Sequence, residues 1–183
     1  PFPIIMNTSL LDPSKKYGIG FTLTSVSKSG VGIPANLKNV VYIFTIKNRF
    51  DGVYMASFRM EPGPIRIAAG MGSWAGPYKY AYEQQLRTTG PNSVAWINTA
   101  FGPDATFHPL MTPSPSGFGQ TEPILTFDAN NKLVGVTNAQ SGGSLGRQFI
   151  LNPAVTDSRY DPATKTVYAA IIMTQPGWDP LPI

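Results

Sequence analysis

The residues in this chain best suited to chemistry are aromatic. Trp74, Tyr78, Tyr80 and Tyr82 gather around the Gly-rich stretch 70–77, Trp96 follows at 96, and Trp178 stands between Gly177 and Asp179. Flat rings stack on the apolar faces of sugars, and neighbouring Asn, Gln and Arg side chains bond their hydroxyls, so this pattern points to glycan recognition. The candidate ligand-binding residues are Trp74, Tyr78, Tyr80, Trp96, Trp178 and His108. A competing role exists for each ring. Tyr78, Tyr80 and Tyr82 at period two share one strand face and can pack in a core, whereas Trp74 in a Gly/Ser loop and Trp178 beside Gly177 read as exposed.

Residues for catalysis are sparse. The glutamates are Glu61, Glu83 and Glu122, and Asp12, Asp51, Asp128 and Asp161 sit at turns, where carboxylates ordinarily cap backbone N–H groups. A glycosidase needs two carboxylates about 5 to 10 Å apart across the sugar. The single histidine, His108, lies in a Pro-rich stretch, and no G-x-S-x-G elbow supports a nucleophilic triad. The chain has no cysteine, which removes thiol catalysis, thiolate metal sites and disulfides together. Gly142-Gly143-Ser144-Leu145-Gly146 lacks the Gly-Lys-Ser/Thr ending of a phosphate loop. The Asp128-Ala129-Asn130-Asn131-Lys132 stretch lacks the glycine and distal acid of a calcium loop, so it reads as a hairpin turn. No catalytic residue, metal or cofactor is expected.

The elements that must carry these residues are strands. Residues 17–27 alternate apolar and polar side chains, and 38–48 (KNVVYIFTIKN) is apolar on both faces, which predicts a central strand covered on both sides. Asn48-Arg49-Phe50-Asp51-Gly52 reads as the turn of a β-hairpin leading into 53–60. Short strands are expected at 65–69, 92–101 and 167–174, a second hairpin at 121–137, and a strand or brief helix at 78–89. Residues 102–119 read as a long Pro-rich loop. Eighteen Gly and eighteen Pro in 183 residues punctuate short strands, not long helices. The expectation is an all-β fold: an antiparallel β-barrel of the lipocalin-like (calycin-like) kind, or a sandwich, of about 8–10 short strands. Residues 1–37 read as closing strands or linker of a preceding domain, and 38–183 as the barrel domain.

Charge excludes little but orders the partners. The net charge of +4 arises from ten acids against fourteen bases, without a basic stripe or nucleic-acid motif, so nucleic acid is not expected. No run of eighteen apolar residues exists to span a membrane. The 13% charged fraction, about half the usual share, is common in exported β-proteins. The chain opens with Pro1-Phe2-Pro3 and carries no signal peptide, which reads as a mature or trimmed product.

Several segments in order resemble one family. Asp12-Pro13-Ser14-Lys15-Lys16-Tyr17 followed by FTLTSVS resembles the closing strands of the immunoglobulin-like N-terminal domain of Bacteroidetes surface lipoproteins from polysaccharide-utilisation systems. VVYIFTIKNRFDGVY resembles the junction into their C-terminal domain of unknown function, and TEPILTFDANNKLVGVTN and RYDPATKTVYAAIIMTQPG resemble two later segments of it. The resemblance implies a lipid-anchored protein on the outer-membrane surface that captures glycan or supports importer subunits. It supplies no binding or catalytic residues. The lipid-bearing cysteine and most of the N-terminal domain are not in this sequence, and the chain stops at Pro180-Leu181-Pro182-Ile183 where that family continues into another strand. The expected function is a non-catalytic glycan-binding or accessory domain. The alternatives are a glycoside hydrolase or a module attached to one, and a structural subunit packing against partners in an outer-membrane complex.

Overall fold

The computed structural model describes residues 3–7, 10–13, 15–77, 82–99, 108–111, 115–119, 121–140 and 142–183, by backbone alone at 74, 77, 82, 108–111 and 115–118. Two compact units divide at 47/48. The first holds β1 (Lys16–Thr22) and β2 (Asn39–Thr45), paired antiparallel from Lys16 opposite Thr45 to Thr22 opposite Asn39. Cross-strand rings brace this ribbon: Tyr17 stacks on Phe44 at 5.9 Å and Phe21 meets Tyr42 edge-on at 5.8 Å. The expected cover on both faces of 38–48 is absent, since Val41, Tyr42 and Ile43 are 66%, 61% and 75% exposed. β2 has one strand partner and pairs with β1, so it belongs to the first unit, not to the sheet of the second.

The second unit carries β3 (Gly52–Ala56), β4 (Arg59–Met60), β5 (Gly76–Pro77), β6 (Tyr82–Gly90), β7 (Ser93–Ile97), β8 (His108–Met111) and β9 (Pro115–Phe118). It continues through β10 (Pro123–Phe127), β11 (Leu133–Asn138), β12 (Gln148–Leu151), β13 (Arg159–Asp161), β14 (Thr166–Tyr168), β15 (Ile171–Thr174) and β16 (Leu181–Pro182). The fold is all-β and every pairing is antiparallel. The largest sheet runs β11-β10-β7-β6-β3, and a three-stranded sheet runs β12-β15-β16. No closed barrel forms among the described residues. β11 lies against β12 without a shared ladder, and β3 ends the large sheet with no strand on its outer edge among the described residues.

Tight turns explain most of these pairings. Asp128 Oδ1 accepts from the N–H groups of Asn130 and Lys132, and Asn131 takes the left-handed backbone (φ 69°) that closes the β10–β11 hairpin. The 48–52 turn does not join a β2–β3 hairpin as its sequence suggests. Asn48 instead donates from Nδ2 to the carbonyls of Gly90 and Ser93 at 2.9 and 2.8 Å, and Asp51 Oδ2 accepts from Thr88 N–H at 2.7 Å. Both side chains therefore tie β3 to the β6–β7 hairpin.

The segment expected as a strand at 65–69 is a short helix, α1 (Pro64–Ala68). Pro64 sits at its first position, where the missing N–H costs nothing. Its next free donor, Ile65 N–H, is capped by Asp179 Oδ2 at 2.5 Å. Gly63 makes the approach possible, because a Cβ there would lie 2.6 Å from Asp179. The long loop expected at 102–119 contains the paired strands β8 and β9.

The core lies between the two larger sheets and is organised on Phe50, which is fully buried. Its ring stacks on Phe127 at 4.2 Å and meets Tyr160 edge-on at 5.3 Å, while Leu125, Leu133, Ile171 and Met173 complete the cluster. Replacing Phe50→Ala empties this position, and the expected loss is about 3–5 kcal/mol of unfolding free energy. Urea denaturation of the two proteins measures it, and a loss below about 1 kcal/mol would place the core elsewhere.

Candidate functional site

A cleft of about 740 Å³ opens beside β3, inside the range of roughly 300–1,000 Å³ typical of small-ligand sites. Its walls have an informative pattern. Every residue from 53 to 59 lines it, and so does every residue from 165 to 170. Side chains alternate across a strand, so a cavity against one sheet face would be lined by every second residue. Gln84 and Leu86 line it as alternate residues of β6, so the cleft covers one face of the large sheet, and the consecutive lining residues 53–59 show that it also reaches the edge of β3. The free N–H and C=O groups of that edge are available to a ligand.

The floor is apolar. Leu86 and Leu125 are buried, and the partly buried Tyr54, Phe58, Trp96 and Ile183 pack on the same core. Phe58 stands edge-on to Trp96 at 6.2 Å. One buried polar chain runs beneath the floor. Trp96 Nε1–H donates to Gln84 Oε1 at 2.6 Å, and Gln84 Nε2–H donates to Asn98 Oδ1 at 3.2 Å. An indole N–H is only a donor, so it fixes which end of the Gln84 amide faces it, and the Trp96 ring is held at one angle.

The rim carries charge. Arg59 is ion-paired with Glu61 at 3.1 Å. Asp157 is ion-paired with Arg159, whose guanidinium lies 4.5 Å above the Tyr168 ring. Lys165 has no ion-pair partner among the described residues. Ser158 is buried and gives its hydroxyl to the Ala170 N–H as acceptor at 3.0 Å.

The candidate residues read from the sequence fall in different places. Trp96 lines the cleft. Trp178 lies elsewhere, half-buried, with the Arg66 guanidinium 5.4 Å over its ring. Arg66 is itself buried and donates from Nε to the Asp179 carbonyl at 2.8 Å. Burial first, and then the charge of Arg147, lower its pKa, with Asp179 opposing. Arg147 bonds Gln175 Oε1 at 2.9 Å and the Gly119 carbonyl, so residues 175–179 are clasped from both sides. Trp74 ends a 3-10 turn (Met71–Trp74) and His108 pairs with Phe118 in β8, both described by backbone only. Tyr78 and Tyr80 lie outside the described residues.

The sequence reading missed Tyr54, Phe58, Tyr168 and Lys165. The usable signal was the alternation in 53–56, which puts Tyr54 and Ala56 inward and leaves Val53 and Met55 out. The described residues hold no cluster of three metal-ligating side chains, and no helix is long and apolar enough to cross a membrane. Comparison with known proteins adds no relative: no family model, no curated protein and no solved structure matches the chain.

Tyr54 gives the cleft wall a measurable titration. Its hydroxyl donates to the Phe50 carbonyl at 2.8 Å, and burial, then Tyr160 and Asp51, push its pKa from 10.0 up to about 12. The folded state holds this proton more tightly than the unfolded chain. The associated stability is thus fully present below about pH 10 and is lost as pH rises towards about 12. Urea midpoints measured across that window will fall less steeply for Tyr54→Phe than for the wild type. Parallel curves would contradict the assignment.

Proposed function

We propose that this chain is a non-catalytic glycan-binding or accessory domain whose cleft beside β3 receives an oligosaccharide. The observation that carries this reading is the combination of an apolar, ring-lined floor with a free strand edge. Sugar hydroxyls both donate and accept, which matches the alternating N–H and C=O groups of an unpaired edge, while Tyr54, Phe58, Trp96 and Tyr168 offer apolar surface to the sugar faces. The resemblance to surface lipoproteins of polysaccharide-utilisation systems supports the same class of ligand. On that basis the domain is exported, is carried on the outer-membrane surface by a lipid anchor in its full-length form, and works beside importer subunits.

Hydrolysis fits the cleft less well. Asp157 is the carboxylate among its lining residues, and Arg159 holds it in an ion pair. A retaining or inverting mechanism needs a second carboxylate across the scissile bond. A structural role has one observation in its favour. β3 holds neither charge nor proline, and Val53 and Met55 are 62% and 67% exposed, so the edge lacks the usual protection against pairing with another chain.

Calorimetric titration with a panel of neutral and acidic oligosaccharides tests the proposal. Tyr168→Ala is expected to weaken binding roughly two- to tenfold by removing a ring at the rim. Ile150→Ala, exposed but outside the cleft, serves as the control and leaves affinity unchanged. No binding across the panel would overturn the reading, and protection of β3 amides by an extended peptide instead would decide for the structural role.

A further inference from the structure

The charges around the cleft do not balance, and the imbalance sits on one side chain. Arg59 is ion-paired with Glu61 and Asp157 with Arg159, which leaves the exposed Lys165 as the lining side chain whose charge has no ion-pair partner among the described residues. Its backbone adds a second observation. Lys165 closes the β13–β14 hairpin with φ at 53°, in the left-handed region. That position follows a turn in which Asp161 Oδ1 accepts from the N–H groups of Ala163 and Thr164. Asn131 occupies the left-handed position of the β10–β11 hairpin (φ 69°), an ordinary choice there, as glycine would be. A lysine has no local hydrogen bond to offset the steric cost of this backbone, so the turn itself does not select it.

From this we infer that the cleft selects an anionic glycan, one carrying carboxylate or sulfate groups, and that Lys165 is the residue that sets this preference. The inference rests on the glycan-binding reading of the cleft and specifies its ligand class. An anionic group at the mouth meets the one cation there that has no carboxylate of its own. The same ligand lays its apolar faces on Tyr168 and the ring-lined floor. The net charge of +4 on the whole chain draws polyanions towards it from a distance.

The test compares each acidic oligosaccharide with a neutral form of the same backbone. Oligogalacturonate and oligoalginate are titrated beside their methyl esters, with a chondroitin sulfate oligosaccharide as the sulfate arm, against wild type, Lys165→Asn and Lys165→Arg. Asn suits the left-handed backbone, so folding is retained, and a circular dichroism melt verifies it. The inference expects an acid to bind more tightly than its ester, with affinity that falls as salt rises. Lys165→Asn then loses roughly three- to tenfold for the acid and nothing for the ester, and Lys165→Arg keeps the preference. Tighter binding of a carboxylate acid or of the sulfated chain identifies which anion is taken. Equal binding of acid and ester would overturn the anionic preference and leave the glycan reading standing. A preference that survives in Lys165→Asn would remove Lys165 from the role, and no binding of any oligosaccharide would overturn both readings.

Discussion

The second unit depends on the way residues 48–51 enter it. Asn48 Oδ1 accepts from the Phe50 N–H within the turn, while its Nδ2 and the Asp51 carboxylate reach across to the β6–β7 hairpin. This places Phe50 between Phe127 of β10 and Tyr160 of β13. Tyr54 then returns a hydrogen bond to the Phe50 carbonyl, so β3 is fixed both at its start and along its inner face. The Gly90, Ser93 and Phe50 carbonyls and the Thr88 N–H, close to this aromatic core, each gain a side-chain partner, which offsets the cost of burying them.

Fixing β3 from one side leaves its other side open. The large sheet ends there, and the space between β3 and residues 165–170 is the cleft. An apolar sheet edge is a liability unless it is protected or used. In this cleft the edge is apolar and uncharged, the floor is ring-lined, and among the described residues the rim carries one cation, Lys165, without an ion-pair partner. Those features suit the proposed ligand, one that hydrogen-bonds along an edge and stacks on rings. The clasp of Arg66 and Arg147 around residues 175–179 is built differently, from bonds to the Asp179 carbonyl and the Gln175 side-chain oxygen together with a helix cap, and it explains Trp178 without a ligand.

What the sequence made legible were features whose causes are local. The β10–β11 hairpin follows from Asp128 and Asn131, each within a few residues of what it bonds. α1 was not legible, because Ile-Arg-Ile alternates like a strand while its cap, Asp179, lies 114 residues away. The apolar run in β2 suggested a strand covered on both faces, yet an apolar pattern specifies only that cover is tolerated, and β2 pairs with β1 alone among the described residues. Residue type alone found Trp96 but could not place it. Its position in the cleft depends on the pairing of β6 with β7 and of β3 with β6. Lys165 was invisible for a similar reason, since its significance lies in a backbone angle and in the pairing of other charges.

The central claim is that the edge of β3 and residues 165–170 form a ligand site. Hydrogen exchange of the domain with and without a saturating acidic oligosaccharide tests it most directly. The account predicts slowed exchange confined to residues 52–59 and 165–170, with the 175–179 clasp unchanged. Protection centred on the Trp178 region, or spread evenly over the sheet with none along β3, would contradict it.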